Sequence, residues 1–231
     1  MEFVPPDFAA FMAAEVDDRA QPLRILEVGG GAVTRVTRED SHVTVLDLSR
    51  SAAVRNTPAA ERLIGDAQDF DYGDRCFDVA VFWNVLEHVA APEAAVERAA
   101  RTLRRDGMIV VRGPEIRSLK ALITRLTPHW VHILYYRWVL GISDAGTDGR
   151  APCRTRHSST ADRHALTDQL RRLGFALRYE LRYVGDQVLE LRRFSRFAYR
   201  LYAGAAALLR LVTGSRYGTR ETEFILVARR T

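Results

Sequence analysis

Three short apolar runs in the first 70 residues each lead into a glycine or a carboxylate. Leu23-Arg-Ile-Leu-Glu-Val28 enters Gly29-Gly30-Gly31. His42-Val-Thr-Val-Leu-Asp47 ends on its own acid, and Arg62-Leu-Ile-Gly-Asp66 does the same. Short apolar runs bounded by turn formers predict buried strands. A fourth run, Phe77 to Trp83, is apolar at nearly every position and predicts a strand covered on both faces.

Helical patterns fall between and around these runs. Residues 2–20 predict a short leading helix, ended by Pro22. Pro92 to Arg105 predicts another, with Ala95, Val96, Ala99 and Leu103 inward and Arg98, Arg101, Arg104 and Arg105 outward. Asp106-Gly107 would stop it before a fifth strand over Met108–Arg112. Alternating strands and helices predict an α/β fold, a mostly parallel sheet with helices on both faces. In the second half, residues 115–142 predict one or two helices rich in Trp130, Tyr135, Tyr136 and Trp138. Residues 143–158 predict a polar loop. Ser159–Leu173 predicts a helix capped by Ser159 or Thr160 and stopped by Gly174. Phe175–Val184 and Glu223–Arg229 are strand-like, and Gln187–Val212 between them predicts one long helix.

Composition narrows the class. The 231 residues suit a single domain, and no apolar stretch is long enough to span a bilayer. No basic n-region precedes an apolar core at the start, so no signal peptide is expected. The two cysteines, Cys76 and Cys153, cannot build a disulfide framework or a metal cluster, and a cytoplasmic protein is expected. Net charge is +5, and the 34 basic residues include only one lysine, Lys120. That arginine bias matches GC-rich codon usage, so it argues weakly for a nucleic-acid partner.

The strand ends suggest a ligand. Ligands of open α/β sheets bind outside the carboxyl ends of the strands. Glycines there let the backbone approach a ligand and donate N–H groups. Asp47 can accept both hydroxyls of a ribose. Asp66 can accept from an adenine amino group, with the Ala67 N–H aimed at a ring nitrogen. A dinucleotide site would need a glycine at Thr34, and Glu27 would repel a pyrophosphate. A carboxylate at Glu27 suits an ammonium or sulfonium group instead.

In this arrangement the chain resembles the class I S-adenosylmethionine-dependent methyltransferases, in their small-molecule branch. Glu27-Val-Gly-Gly-Gly31 is similar to their acidic glycine loop, although Ala32 replaces its third glycine. Asp47-Leu48-Ser49 is similar to the ribose-binding acid and the apolar residue that packs on adenine. Gly65-Asp66-Ala67 is similar to the adenine turn. Phe77 through Val89 is similar to strand four and its exit at Asn84, and Leu103 through Val111 to the helix-turn-strand that follows. The resemblance is strong over residues 20–113. It implies a Rossmann-like sheet of seven strands, with an antiparallel last strand between two others and a helical cap over the acceptor site. It implies a cofactor core over 1–113, acceptor-site helices and loop over 114–173, and a helical insert over 185–221. It implies S-adenosylmethionine as cofactor and S-adenosylhomocysteine as product. Glu27, Gly29, Gly30, Gly31, Asp47, Leu48, Asp66, Ala67 and Asn84 would form the cofactor site. Quinone-type relatives carry a carboxylate where this chain has Asn84, so no metal is assigned.

Methyl transfer to a hydroxyl usually wants a base, often histidine. The candidates are His88 after strand four, His129 and His132 in the aromatic segment, and His157 in the polar loop. The Trp-Asn-Val-Leu exit of strand four is not the kind that holds a flipped base, which disfavours nucleic acid. A small-molecule acceptor on oxygen or nitrogen, of natural-product or sugar type, is expected. Leu191, Phe194, Ala198, Leu201, Ala205, Leu208 and Val212 recur at three- and four-residue spacing, with Arg192, Arg196 and Arg200 on another face. This insert predicts a lid or a homodimer face. The alternative is peripheral contact with an anionic membrane surface and a lipid-linked acceptor, such as a prenyl quinone or glycolipid. A further alternative is a cofactor-binding protein that has lost its chemistry.

Overall fold

A computed structural model describes residues 4–17, 21–31, 33–36, 38–138, 141–147, 155 and 159–231. Seven strands form one sheet: β1 Arg24–Val28, β2 His42–Asp47, β3 Glu61–Ile64, β4 Phe77–Trp83, β5 Leu103–Pro114, β6 Phe175–Tyr183 and β7 Glu223–Arg230. Their order across the sheet is β3-β2-β1-β4-β5-β7-β6. β1, β2, β3, β4 and β5 pair in parallel. The Thr222 N–H donates to the Tyr183 carbonyl and the Thr231 N–H to that of Gly174, so β7 runs antiparallel to β6. The fold is the Rossmann-like one that the resemblance implied, with its antiparallel last strand between two others.

Eight helices accompany the sheet among the described residues: α1 Pro6–Asp17, α2 Arg50–Arg55, α3 Pro92–Arg101, α4 Leu119–Leu126, α5 His129–Trp138, α6 Arg163–Arg172, α7 Asp186–Phe194 and α8 Arg196–Val212. None of them is long and apolar enough to cross a membrane. The chain divides into two compact units. The larger combines Val4–Gly113, Ser158–Leu181 and Ile225–Thr231, and the smaller is built from Pro114–His157 and Arg182–Phe224.

The core of the larger unit follows from the apolar runs. Every residue of β4 is buried, as are the last four of β1. Pro92 starts α3 at a position where the missing N–H costs nothing, and Ala95, Val96, Ala99 and Ala100 bury one face of that helix. α1 is held by Phe8, whose ring lies 5.6 Å from that of Trp83, and by Phe11 stacked on Tyr179 at 4.7 Å.

Three local expectations need correction. α3 stops at Arg101, not Arg105. Phe77 already takes the Thr102 carbonyl as its strand partner, and Leu103 pairs with Phe77. The next ladder pair is Val79 with Met108, so Arg104 to Gly107 bulge out of β5, and Asp106 turns there with φ +64°. The cap of α6 is Asp162, because Ser159–Ala161 form a separate single turn. The predicted long helix over 187–212 is broken at Ser195. That residue is extended (φ −152°), ends α7, and its hydroxyl accepts from the Ala198 N–H at 3.2 Å to start α8.

Candidate cofactor site

The parallel register lines up the strand exits. Val28 lies opposite Leu46 on one side and Phe82 on the other, and Asp47 lies opposite Ile64. Gly29, Asp47, Gly65 and Asn84 therefore leave the sheet at one edge, all within the larger unit. Backbone bonds fix the row: the Gly29 N–H donates to the Leu46 carbonyl at 2.7 Å, and the Gly65 N–H to that of Asp47 at 3.1 Å.

The glycine loop is built for close approach. Gly29 has φ +64°, and a methyl group on it would sit 2.3 Å from a Val85 methyl. A Cβ on Gly30 would meet Glu27 Cγ at 2.8 Å. Gly31, at φ +53°, has open space where a side chain would stand. Asp47 ties this loop to its own strand. One carboxylate oxygen accepts from the Gly31 N–H at 3.0 Å, the other from the Ser49 N–H at 2.7 Å. Each oxygen keeps a further lone pair for a ligand. Leu48 follows with 72% of its surface exposed, an apolar side chain left uncovered beside that acid.

Asp66 is held by a residue the sequence reading did not single out. Gln68 Nε2 donates to both of its carboxylate oxygens at 2.8 Å, and Gln68 Oε1 accepts from the Ala91 N–H at 2.6 Å. Ala67 between them is buried. Gly65 is required here as well, since a Cβ would lie 2.4 Å from the Phe70 ring. Asn84 turns the chain out of β4 with φ +54°, its N–H bonded to the Arg112 carbonyl at 3.0 Å. Trp83, buried just before it, has an indole N–H with no partner among the described residues. Nothing in the sequence around Gln68 signals this role, because it depends on tertiary placement.

Glu27 is fully buried beneath the loop, and both its oxygens face the Arg35 N–H, at 3.1 and 3.2 Å. Burial pushes its pKa up from 4.5 to about 7, against the opposing pull of the Arg35 N–H, the Arg35 charge and the Thr34 hydroxyl. The folded chain thus binds the proton more tightly than the unfolded chain, and stability falls as pH rises from 4.5 to 7. A shift of this size corresponds to about 3 kcal/mol. Glu27→Gln is expected to remove that slope: between pH 5 and 8 the wild type should lose roughly 5–10 °C in melting temperature relative to the variant. Parallel melting curves across that range would remove the burial argument.

His88 stands on the single turn Leu86–His88 that leaves β4, its Nε2 4.0 Å from the Glu87 carboxylate. His129 and His132 belong to the smaller unit. His129 opens α5, and His132 Nε2 lies 2.9 Å from the Thr127 hydroxyl just before that helix. His157 and Ala32 lie outside the described residues.

A family model described as a methyltransferase domain matches residues 2–180. The chain belongs to that family. Its cofactor is S-adenosylmethionine, and the site fits it: an open cradle at Gly31, a carboxylate with spare acceptors at Asp47, and an uncovered apolar side chain at Leu48. No curated protein sequence matches the chain. Among solved structures, an S-adenosylmethionine-dependent methyltransferase from Mesorhizobium loti is 17% identical, covers 96% of each chain and has a TM-score of 0.57. One from Archaeoglobus fulgidus is 13% identical, with 96% of this chain and 93% of that one covered, at a TM-score of 0.57. The [4+2]-cyclase SpnF is 17% identical, with 97% and 80% covered, at 0.55. At these identities the likeness is one of fold. The same fold therefore also occurs in a cyclase, so the fold alone does not fix the reaction.

Proposed function

We propose that this chain transfers the methyl group of S-adenosylmethionine to an oxygen or nitrogen of a small molecule of natural-product or sugar type, acting in the cytoplasm. The observation that carries the reading is the coupling of the glycine loop to Asp47, with Leu48 uncovered and Asp66 locked by Gln68 at the neighbouring strand end.

When bound, S-adenosylmethionine supplies an electrophilic methyl group on a positively charged sulfur. The chain's own residues bind and orient. The Gly29–Gly31 backbone receives the methionine end, and Asp47 accepts the ribose hydroxyls. Leu48 covers one face of the adenine, while Asp66 and the Ala67 N–H read its edge. Alignment and exclusion of water account for most of the acceleration in a displacement of this kind. A neutral amine acceptor needs only placement. A hydroxyl acceptor must lose a proton, and His88 is the candidate base in the unit that carries the glycine loop.

The test is incubation with methyl-labelled S-adenosylmethionine and a panel of phenols, sugars and amines, with NADH binding as the control. Label is expected in at least one oxygen or nitrogen acceptor, with S-adenosylhomocysteine formed in equal amount. Binding of the adenosyl ligand with no transfer to any acceptor would overturn the enzymatic reading and leave a cofactor-binding protein. Tighter binding of NADH would overturn the site assignment itself.

A further inference from the structure

α8 carries three distinct faces. On a helix of about 100° per residue, Phe197, Leu201, Gly204, Leu208 and Leu211 fall within roughly 80° of arc. Ala198, Tyr199, Tyr202, Ala206 and Leu209 occupy the face that is buried or half-buried within the smaller unit. Arg196, Arg200 and Arg210 lie on the third, and all three are exposed. The first face should be the core side by composition, yet it points to water: Phe197 is 71% exposed and Leu211 80%. Val212, the last residue of α8, is exposed as well, and so is Phe194, the last residue of α7.

The segment that contains this helix carries charge of one sign along the sequence. Residues 191–220 hold seven arginines and no aspartate or glutamate. An antiparallel symmetric pairing with a second copy would bring the arginine rows of both chains to one edge, which like-charge repulsion opposes. Anionic headgroups would neutralise the same row while the apolar stripe enters the acyl boundary, with the arginine stems lying along it. α5 of the same unit also exposes Trp130, Leu134 and Trp138 at four-residue spacing, and tryptophan favours the headgroup level of a bilayer.

We propose that the outward face of α8 docks this chain onto an anionic lipid surface, with α8 lying in the plane of the interface. The proposal rests on this surface alone and not on the reaction assigned above. It also gives the break at Ser195 a purpose, since a separate α8 can meet a plane that the direction of α7 does not set.

The experiment is flotation of the purified full chain with vesicles of phosphatidylcholine alone or with about one third phosphatidylglycerol. Binding is expected to the anionic vesicles only and to weaken as salt rises. Leu201→Ser/Leu208→Ser and Arg196→Gln/Arg200→Gln should each reduce it roughly tenfold. Melting temperature and S-adenosylmethionine affinity should not change, because these side chains face solvent. Absence of flotation, or equal binding to both vesicle types, would overturn the proposal. So would a dimer by light scattering that Leu201→Ser/Leu208→Ser converts to monomer, because a second copy would then be the occupant. Vesicle binding is read without any acceptor, so its failure is separable from failure of methyl transfer.

Discussion

Asp47→Ala is expected to weaken S-adenosylmethionine binding at least about 100-fold. Hydrogen bonds to a charged partner contribute roughly 1.5–3 kcal/mol each. Loss of two ribose hydroxyl bonds therefore removes about 3–6 kcal/mol, and about 1.4 kcal/mol is a factor of ten. The substitution also frees the Gly31 and Ser49 N–H groups, which the carboxylate holds at 3.0 and 2.7 Å, so the loop loses its fixed shape before any ligand arrives. Calorimetric titration with S-adenosylmethionine and S-adenosylhomocysteine checks the effect. Asp47→Asn separates the causes: it keeps one acceptor oxygen and loses the charge, so an intermediate affinity is expected. An alanine variant that binds as tightly as wild type would show that the ribose is held elsewhere.

Gly29→Ala should be the most destabilising single methyl group in the loop. An alanine at φ +64° costs about 1–2 kcal/mol. Its Cβ would also lie 2.3 Å from a methyl of Val85, a branched side chain that cannot swing away, and overpacking of this kind costs about 1–3 kcal/mol. A total near 2–5 kcal/mol corresponds to a fall of roughly 5–15 °C in melting temperature. Gly31→Ala gives the internal comparison, because its φ of +53° is similar and its surroundings are open. The double variant Gly29→Ala/Val85→Ala should recover about the clash share of the loss. Equal damage from Gly29→Ala and Gly31→Ala would mean that Val85 is not the constraint.

The cofactor half was legible because its determinants are local. A strand end, a glycine turn and an acid two or three residues away are read from consecutive positions, and β1, β2 and β4 emerged within a residue of their apolar runs. Glu27 was legible as a buried acid but not in its partner. Its placement under the loop depends on where Arg35 returns, eight residues later. The α3 boundary was missed because Leu103 suits a helix face as well as a strand, and only the pairing with Phe77 decides between them. The break at Ser195 was missed for a related reason. The three- and four-residue apolar spacing runs through it undisturbed, and a single serine gives no sign that it is a cap until its hydroxyl is seen on Ala198. The outward direction of the Phe197 stripe was likewise hidden, since periodicity defines a stripe and not the side from which it is covered.

The place of β7 between β5 and β6 bears on how the chain is made. Translation delivers β5 and β6 first, yet neither can pair with the other, because the slot between them belongs to residues 223–230. Until those residues leave the ribosome, β5 and β6 each present an open edge, and open edges are templates for pairing with other chains. At about 5–20 residues per second, the roughly 40 residues between β6 and β7 prolong that exposure by several seconds. Sheet closure therefore waits for β7, and the α7–α8 insert sets its delay.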